Sequence, residues 1–279
     1  MASPSGSSDN MADSAVLAAV CVDLAAEHEA LDLIVAGLSD DAWDTPTPAV
    51  GWTVRDQVSH LAWVDDRAVE AVAVPDVFRS GVDELLASAP EDPMMIGVEQ
   101  GRAMKPGDVL AWWRTSRQRF LEAMAGVDPD ARIPWYGPAM GAVSFVTARL
   151  METWAHGQDV VDALGAARPA TPRLRHVAHI GWRAMAFSFQ ARGLEAPSAP
   201  MRVELVAPDG ATWTWGSEGA DDTVRGGALD FCLVVTQRRH VNDTNLEIAG
   251  PVAHQWMTVA QAFAGPPGPG RRPGQFGAP

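Results

Sequence analysis

Cysteine is scarce: Cys21 and Cys232 are the only two in 279 residues. Two thiols cannot build a disulfide framework or a Cys-rich zinc site, so any metal must be held by histidine and carboxylate. Basic charge is short as well. Lysine plus arginine total 21 against 35 aspartate plus glutamate, a net charge of −14, and Lys105 is the only lysine. Such a surface is poorly suited to displacing counterions from nucleic acid or to docking on an anionic leaflet, so neither partner is expected. No apolar run reaches the roughly 18 residues that cross a bilayer. Met1 to Asp13 lack the basic and apolar regions of a signal peptide, which leaves the cytoplasm as the default compartment.

What is present is a 47% hydrophobic, 20% charged chain, the profile of a soluble globule with a sizeable core. Residues 1–13 are small and polar and are expected to be disordered. From Ser14 to Leu38, apolar positions at Leu17, Cys21, Leu24, Leu31 and Val35, with His28 among them, recur at spacings of three and four, which predicts a helix. A Pro-rich loop over 44–51 precedes a second helix, opened by a Thr53/Asp56 capping pair and ended by Pro75. Weaker helical pieces lie between Val77 and Ala103. A third long helix starts at Pro106, and a fourth runs from Ser144 to Leu164 with Gly165 as its stop. Four long amphipathic helices predict a four-helix bundle over 14–168. The pattern then changes. A helix over 173–192, an alternating strand Met201–Val206, the turn pair Asp209-Gly210 and a strand over 212–215 come first. An apolar helix over 227–236, a short strand near 246–248 and a helix over 253–263 complete a small α+β domain, 169–264. Residues 265–279 are mostly Gly and Pro and are expected to be disordered. The fold class is therefore α+β multidomain, bundle first.

Glu152 and His156 lie four apart on the fourth helix, so their side chains share a face. An ordinary surface ion pair would have the same spacing, but Met151, Trp154 and Ala155 surround it with apolar groups. His60, in Val58-Ser-His-Leu-Ala-Trp63, reads alone as a core histidine. Together the three offer two imidazoles and one carboxylate from two helices, a set that binds zinc or another divalent ion and leaves positions open for water or substrate. A His-Glu-x-x-His run is absent, which excludes a zincin-type protease.

Gly51-Trp-Thr-Val-Arg-Asp-Gln-Val-Ser-His-Leu61 and Arg149-Leu-Met-Glu-Thr-Trp-Ala-His-Gly-Gln-Asp-Val160 resemble the N-terminal domain of the mycothiol-dependent maleylpyruvate isomerase family, within the DinB-like metalloprotein superfamily. The resemblance spans about the first 165 residues. It implies a four-helix bundle holding a divalent metal, usually zinc, with His60, Glu152 and His156 as ligands; nickel, iron and manganese are the alternatives. More loosely, the second half is similar to the small domain that follows that bundle. There an arginine after an apolar helix helps to hold an anionic substrate or thiol, which points here to Arg238 or Arg239 in Phe231-Cys-Leu-Val-Val-Thr-Gln-Arg-Arg-His240. The adjacent arginines, the Trp135–Met140 loop and the Gly/Pro tail depart from the family pattern and imply a separate actinobacterial branch. Bundles of this superfamily often dimerise, so a homodimer is one expected state.

The remaining candidates are weighed from their surroundings. His28 faces inward and is expected in the core or lining a pocket for substrate. Trp135 and Tyr136 sit in a loop, where substrate contacts concentrate. Arg238 and Arg239 also fit as charges favoured at a helix C-terminus. Cys21 and Cys232 fall in apolar stripes and are poor nucleophiles. The expected function is a metal-dependent isomerase or thiol S-transferase that acts on a small organic electrophile with mycothiol as cosubstrate. The alternatives are a thiol-independent hydrolase or dehydratase using metal-bound water, and a non-catalytic metal- or ligand-binding protein.

Overall fold

The structure is a computed structural model that describes residues 6–87 and 95–276. The chain divides into two compact units, residues 1–167 and 168–279. The first is a helical bundle and the second a small α+β domain.

The bundle runs α1 (Gly6–Val35), α2 (Val54–Ala73), α3 (Pro75–Ala87), α4 (Met95–Arg102), α5 (Pro106–Met124), a two-residue ladder β1 (Arg132–Ile133) with β2 (Met140–Gly141), and α6 (Ala142–Leu164). Helix α1 begins upstream of Ser14. It starts at Gly6, inside the stretch expected to be disordered, and extending an established helix costs far less than starting one; residues 1–5 lie outside the described residues. At α2 the expected capping pair forms in both directions. Asp56 N donates to Thr53 Oγ1 (3.4 Å) and Thr53 N donates to Asp56 Oδ2 (2.9 Å). Helix α6 stops at Gly165, whose φ of 58° is the left-handed conformation glycine adopts freely.

Helix α2 is the hub: it packs against α4, α5 and α6. Val54, Val58, Leu61 and Ala62 join Leu31, Val35, Trp43, Val109, Trp113 and Val160 in the core. Burying side chains of this size is worth about 1.5–3 kcal/mol each before ordering entropy is subtracted. Helix α4 comes unusually close to α2: a Cβ on Gly97 would collide with Trp63, and one on Gly101 with Ser59.

In the second unit the helix expected over 173–192 is two helices, α7 (Leu174–Arg183) and α8 (Met185–Gln190), broken at Ala184. The break lets Leu174, Val177 and Ala178 pack on one side while Ser188 and Phe189 are buried on another. Strands β3 (Met201–Val206), β4 (Thr212–Gly216), β5 (Asp222–Gly227) and β6 (Glu247–Ala249) form one sheet in the order β4-β3-β5-β6; β3 and β5 are parallel and the other pairs antiparallel. Helix α9 (Ala228–Val235) and helix α10 (Pro251–Val259) complete the unit. The tail, expected to be disordered, has no regular element over 265–276 and makes a few contacts with the rest of the unit. Gly274 N donates to Asp243 Oδ1 (2.7 Å), Arg192 Nη2 to Gly268 O (3.0 Å), and Arg239 lies 4.0 Å over the Phe276 ring. Among the described residues, no helix is long and apolar enough to cross a membrane.

Candidate metal centre

Helices α2 and α6 bring His60, Glu152 and His156 to one point. One ligand atom from each lies within 4.8 Å of the other two. The imidazoles of His60 and His156 are 4.5 Å apart between ring centroids. His156 Nε2 stands 3.1 Å from Glu152 Oε2. Trp52, in the loop that leads into α2, covers both rings: its centroid is 5.3 Å from that of His60 and 5.9 Å from that of His156, the latter nearly parallel at 19°.

A hydrogen-bonded chain fixes which nitrogen of His156 faces the site. The Thr47 hydroxyl donates to Trp52 O (2.9 Å), so it accepts from Gln57 Nε2 (3.0 Å). The Gln57 amide is thereby oriented with Oε1 toward His156 Nδ1, at 2.6 Å. An amide oxygen only accepts, so Nδ1 carries the proton and the Nε2 lone pair points at the Glu152 carboxylate. Two electron-rich atoms 3.1 Å apart need a cation between them, a proton or a metal. With a proton between them, burial raises the Glu152 carboxyl, but that hydrogen bond and the charges of His156, Arg149 and His60 outweigh it and hold it down at about 2. Its carboxylate is therefore ionised at any physiological pH. Two imidazoles, one ionised carboxylate and a neighbour that fixes the tautomer suit a divalent ion. Sequence reasoning missed both Gln57 and Trp52. Gln57 carried a readable signal, three residues before His60 on one helical face; Trp52 carried none, because a loop has no periodicity.

The other candidates fall elsewhere. His28 is 2% exposed, edge-on to Trp113 at 6.0 Å, and neither ring nitrogen has a hydrogen-bond partner among the described residues. This places the ring in the core, one of the positions expected for it. Burial, then the charges of Arg117 and Arg149, lower its pKa to about 3, so the ring is neutral. Trp135 lies flat on Phe78 (5.5 Å, 4°) and edge-on to Phe145. Tyr136 stacks on Trp63 and, with Arg67, Glu70, Phe78 and Ile96, lines a cavity of about 300 Å³. Burial pushes the Tyr136 phenol up to about 12. Arg238 and Arg239 belong to the second unit and follow the end of α9. Arg238 Nη1 donates to Thr236 O and Arg239 Nη1 to Arg238 O, each at 2.7 Å. Both thiols are reduced, and burial raises their pKa, well above the usual value for Cys232, which leaves them poor nucleophiles.

Comparison with known proteins agrees with this architecture. The family model described as "Mycothiol maleylpyruvate isomerase N-terminal domain" matches residues 24–161, a span that contains all three candidate ligands. Two Mycobacterium tuberculosis proteins, Rv0036c of strain H37Rv and MT0041 of strain CDC 1551, are each 45% identical over 252 residues, covering 89% of this chain and 96% of theirs. Both are described as uncharacterized. The crystal structure of mycothiol-dependent maleylpyruvate isomerase matches with a TM-score of 0.55 at 14% identity, over 80% of this chain and 90% of that one. A mutant of the same enzyme matches with a TM-score of 0.54 at 13% identity. These structures establish the shared fold, and with the family match and the mycobacterial relatives they place the chain in the mycothiol-dependent maleylpyruvate isomerase-like family.

Proposed function

We propose that the protein is a metal-dependent enzyme that uses a low-molecular-weight thiol, mycothiol in the first instance, to act on a small organic electrophile as an isomerase or S-transferase. The observation that carries this reading is the convergence of His60, Glu152 and His156 with the His156 lone pair turned into the site. Those three residues would hold the ion, with zinc the first candidate. When bound, such an ion supplies Lewis acidity that favours a thiolate over a thiol. The chain's own part is to present a carboxylate at Glu152, to hold the His156 Nδ1–H in its hydrogen bond to Gln57 Oε1, and to shield one side of the site with Trp52. A thiolate that adds to an activated double bond leaves a carbanion with a rotatable single bond; expelling the thiolate after rotation restores the double bond with the other geometry. If the adduct is protonated at carbon instead, the product is a thioether and the reaction is a transfer. Tyr136 and Trp135 are the candidates for contact with the substrate body. Arg238 and Arg239 are the cationic candidates for an anionic group.

The test pairs elemental analysis with turnover. Protein purified without added metal should carry a stoichiometric divalent ion and consume mycothiol in the presence of electrophiles such as maleylpyruvate. A His156→Ala variant should lose the metal and the turnover while keeping its helical circular dichroism. Metal-loaded protein that turns substrate over equally well without thiol would redirect the assignment to hydrolysis or dehydration.

A further inference from the structure

Beside the candidate metal centre, the same two helices are joined by a second polar contact. Arg149 of α6 donates from Nε to Asp65 Oδ1 of α2 at 3.2 Å. Both are interior: Asp65 is 0% exposed and Arg149 4%. The pair is incomplete, because Asp65 Oδ2 and Arg149 Nη2 find no hydrogen-bond partner among the described residues. As a device for stability it is a poor choice. Stripping water from two charges and leaving polar atoms open costs more than such a pair returns, and apolar side chains of similar volume would hold the helices at least as well. Burial pushes the Asp65 carboxyl up to about 6, even against the charges of Arg149 and Arg117. Arg149 itself lies three residues before Glu152 on α6, and its charge reaches that carboxylate.

A cation at this position has two opposed effects. It attracts the Glu152 carboxylate, and it repels a divalent ion bound there. We infer that Asp65 is a positioning residue for the metal centre: its carboxylate neutralises Arg149 and holds the guanidinium, so that a divalent ion on His60, Glu152 and His156 does not face an uncompensated positive charge about one helical turn away. The inference rests on the metal reading of the site. It separates charge balance from mere bracing of α2 against α6, since bracing is lost whenever either partner is lost, whereas imbalance is cured by removing the other partner too.

The experiment measures zinc affinity by competition with a chromophoric chelator, on full-length wild-type protein and on Asp65→Asn, Arg149→Gln and the double variant, with thermal melts alongside. Asp65→Asn should weaken zinc binding about tenfold, the effect of about 1.4 kcal/mol of uncompensated charge. The double variant should recover most of that loss. Zinc affinity in Asp65→Asn equal to wild type, or a double variant no tighter than Asp65→Asn, overturns the inference. If Asp65→Asn fails to fold, the double variant alone decides, because it removes both charges. It should bind within about threefold of wild type, and any greater loss overturns the inference. Wild-type protein that takes up no zinc overturns the metal reading and this inference with it, whereas normal wild-type uptake with an unaffected Asp65→Asn sinks the inference alone.

Discussion

At the scale of single residues, the site divides into side chains that would touch a metal and side chains that aim them. Gln57 is of the second kind. It is 0% exposed, and both ends of its amide are committed, Nε2 to Thr47 and Oε1 to His156. Replacing it with leucine would keep the packing volume but release the His156 ring, whose Nδ1 proton would then have no fixed acceptor. Zinc affinity of Gln57→Leu should fall about 10- to 100-fold while the melting temperature stays near that of wild type, read by chelator competition and circular dichroism. The sequence placed Gln57 on the His60 face of its helix but gave no sign of what it bonds. Two histidines and a glutamate advertise themselves by type and spacing; a glutamine is common on any helix, and its role appears only once α6 lies across α2.

At the scale of elements, periodic segments were legible and irregular ones were not. The second helix was readable at its start because Thr53 and Asp56 satisfy each other's backbone locally, with no help from the fold. Strand β5 was not readable. Asp-Thr-Val-Arg-Gly-Gly has little strand character of its own, and it is extended because β3 and β6 pair with it on either side. The α4 contact is a similar case: a glycine in a weak helical pattern reads as a breaker, yet Gly97 and Gly101 are what let α4 approach α2. Ser59 and Trp63, which they meet, flank His60 on α2, so this packing also bears on the site. Gly101→Ala should drive its new methyl into Ser59, whose hydroxyl is tied back to Arg55 O at 2.7 Å and cannot swing away freely. The expected cost is about 1–3 kcal/mol in chemical denaturation, the usual range for overpacking, where glycine to alanine in an unhindered helix would stabilise. A neutral or stabilising outcome would show that α4 can slide off α2 without loss.

At the scale of the whole molecule, buried groups of the bundle titrate with opposite signs, His28 and Asp65 most directly against each other. His28 is neutral in the fold, with a pKa of about 3, but ordinary when unfolded, near 6.5. The unfolded chain therefore binds the extra proton between those values, and this contribution to stability is present above 6.5 and lost as pH falls toward 3. Asp65 works the other way. Its folded pKa of about 6 lies above the model-peptide value of 3.8, so the folded chain binds the extra proton, and its contribution is present below 3.8 and lost as pH rises toward 6. Between about pH 4 and 6 the two slopes oppose, each limited to about 1.4 kcal/mol per pH unit. Wild-type bundle stability should therefore be nearly flat across that window. His28→Phe, which removes one titration and keeps an aromatic ring against Trp113, should leave the Asp65 slope bare and make the bundle more stable at pH 4.5 than at pH 6. Asp65→Asn should do the reverse and make it less stable at pH 4.5. Hydrogen exchange of the α1 and α2 amides at the two pH values reads the bundle separately from the second unit, and equal pH profiles in wild type and both variants would refute the opposed-titration account.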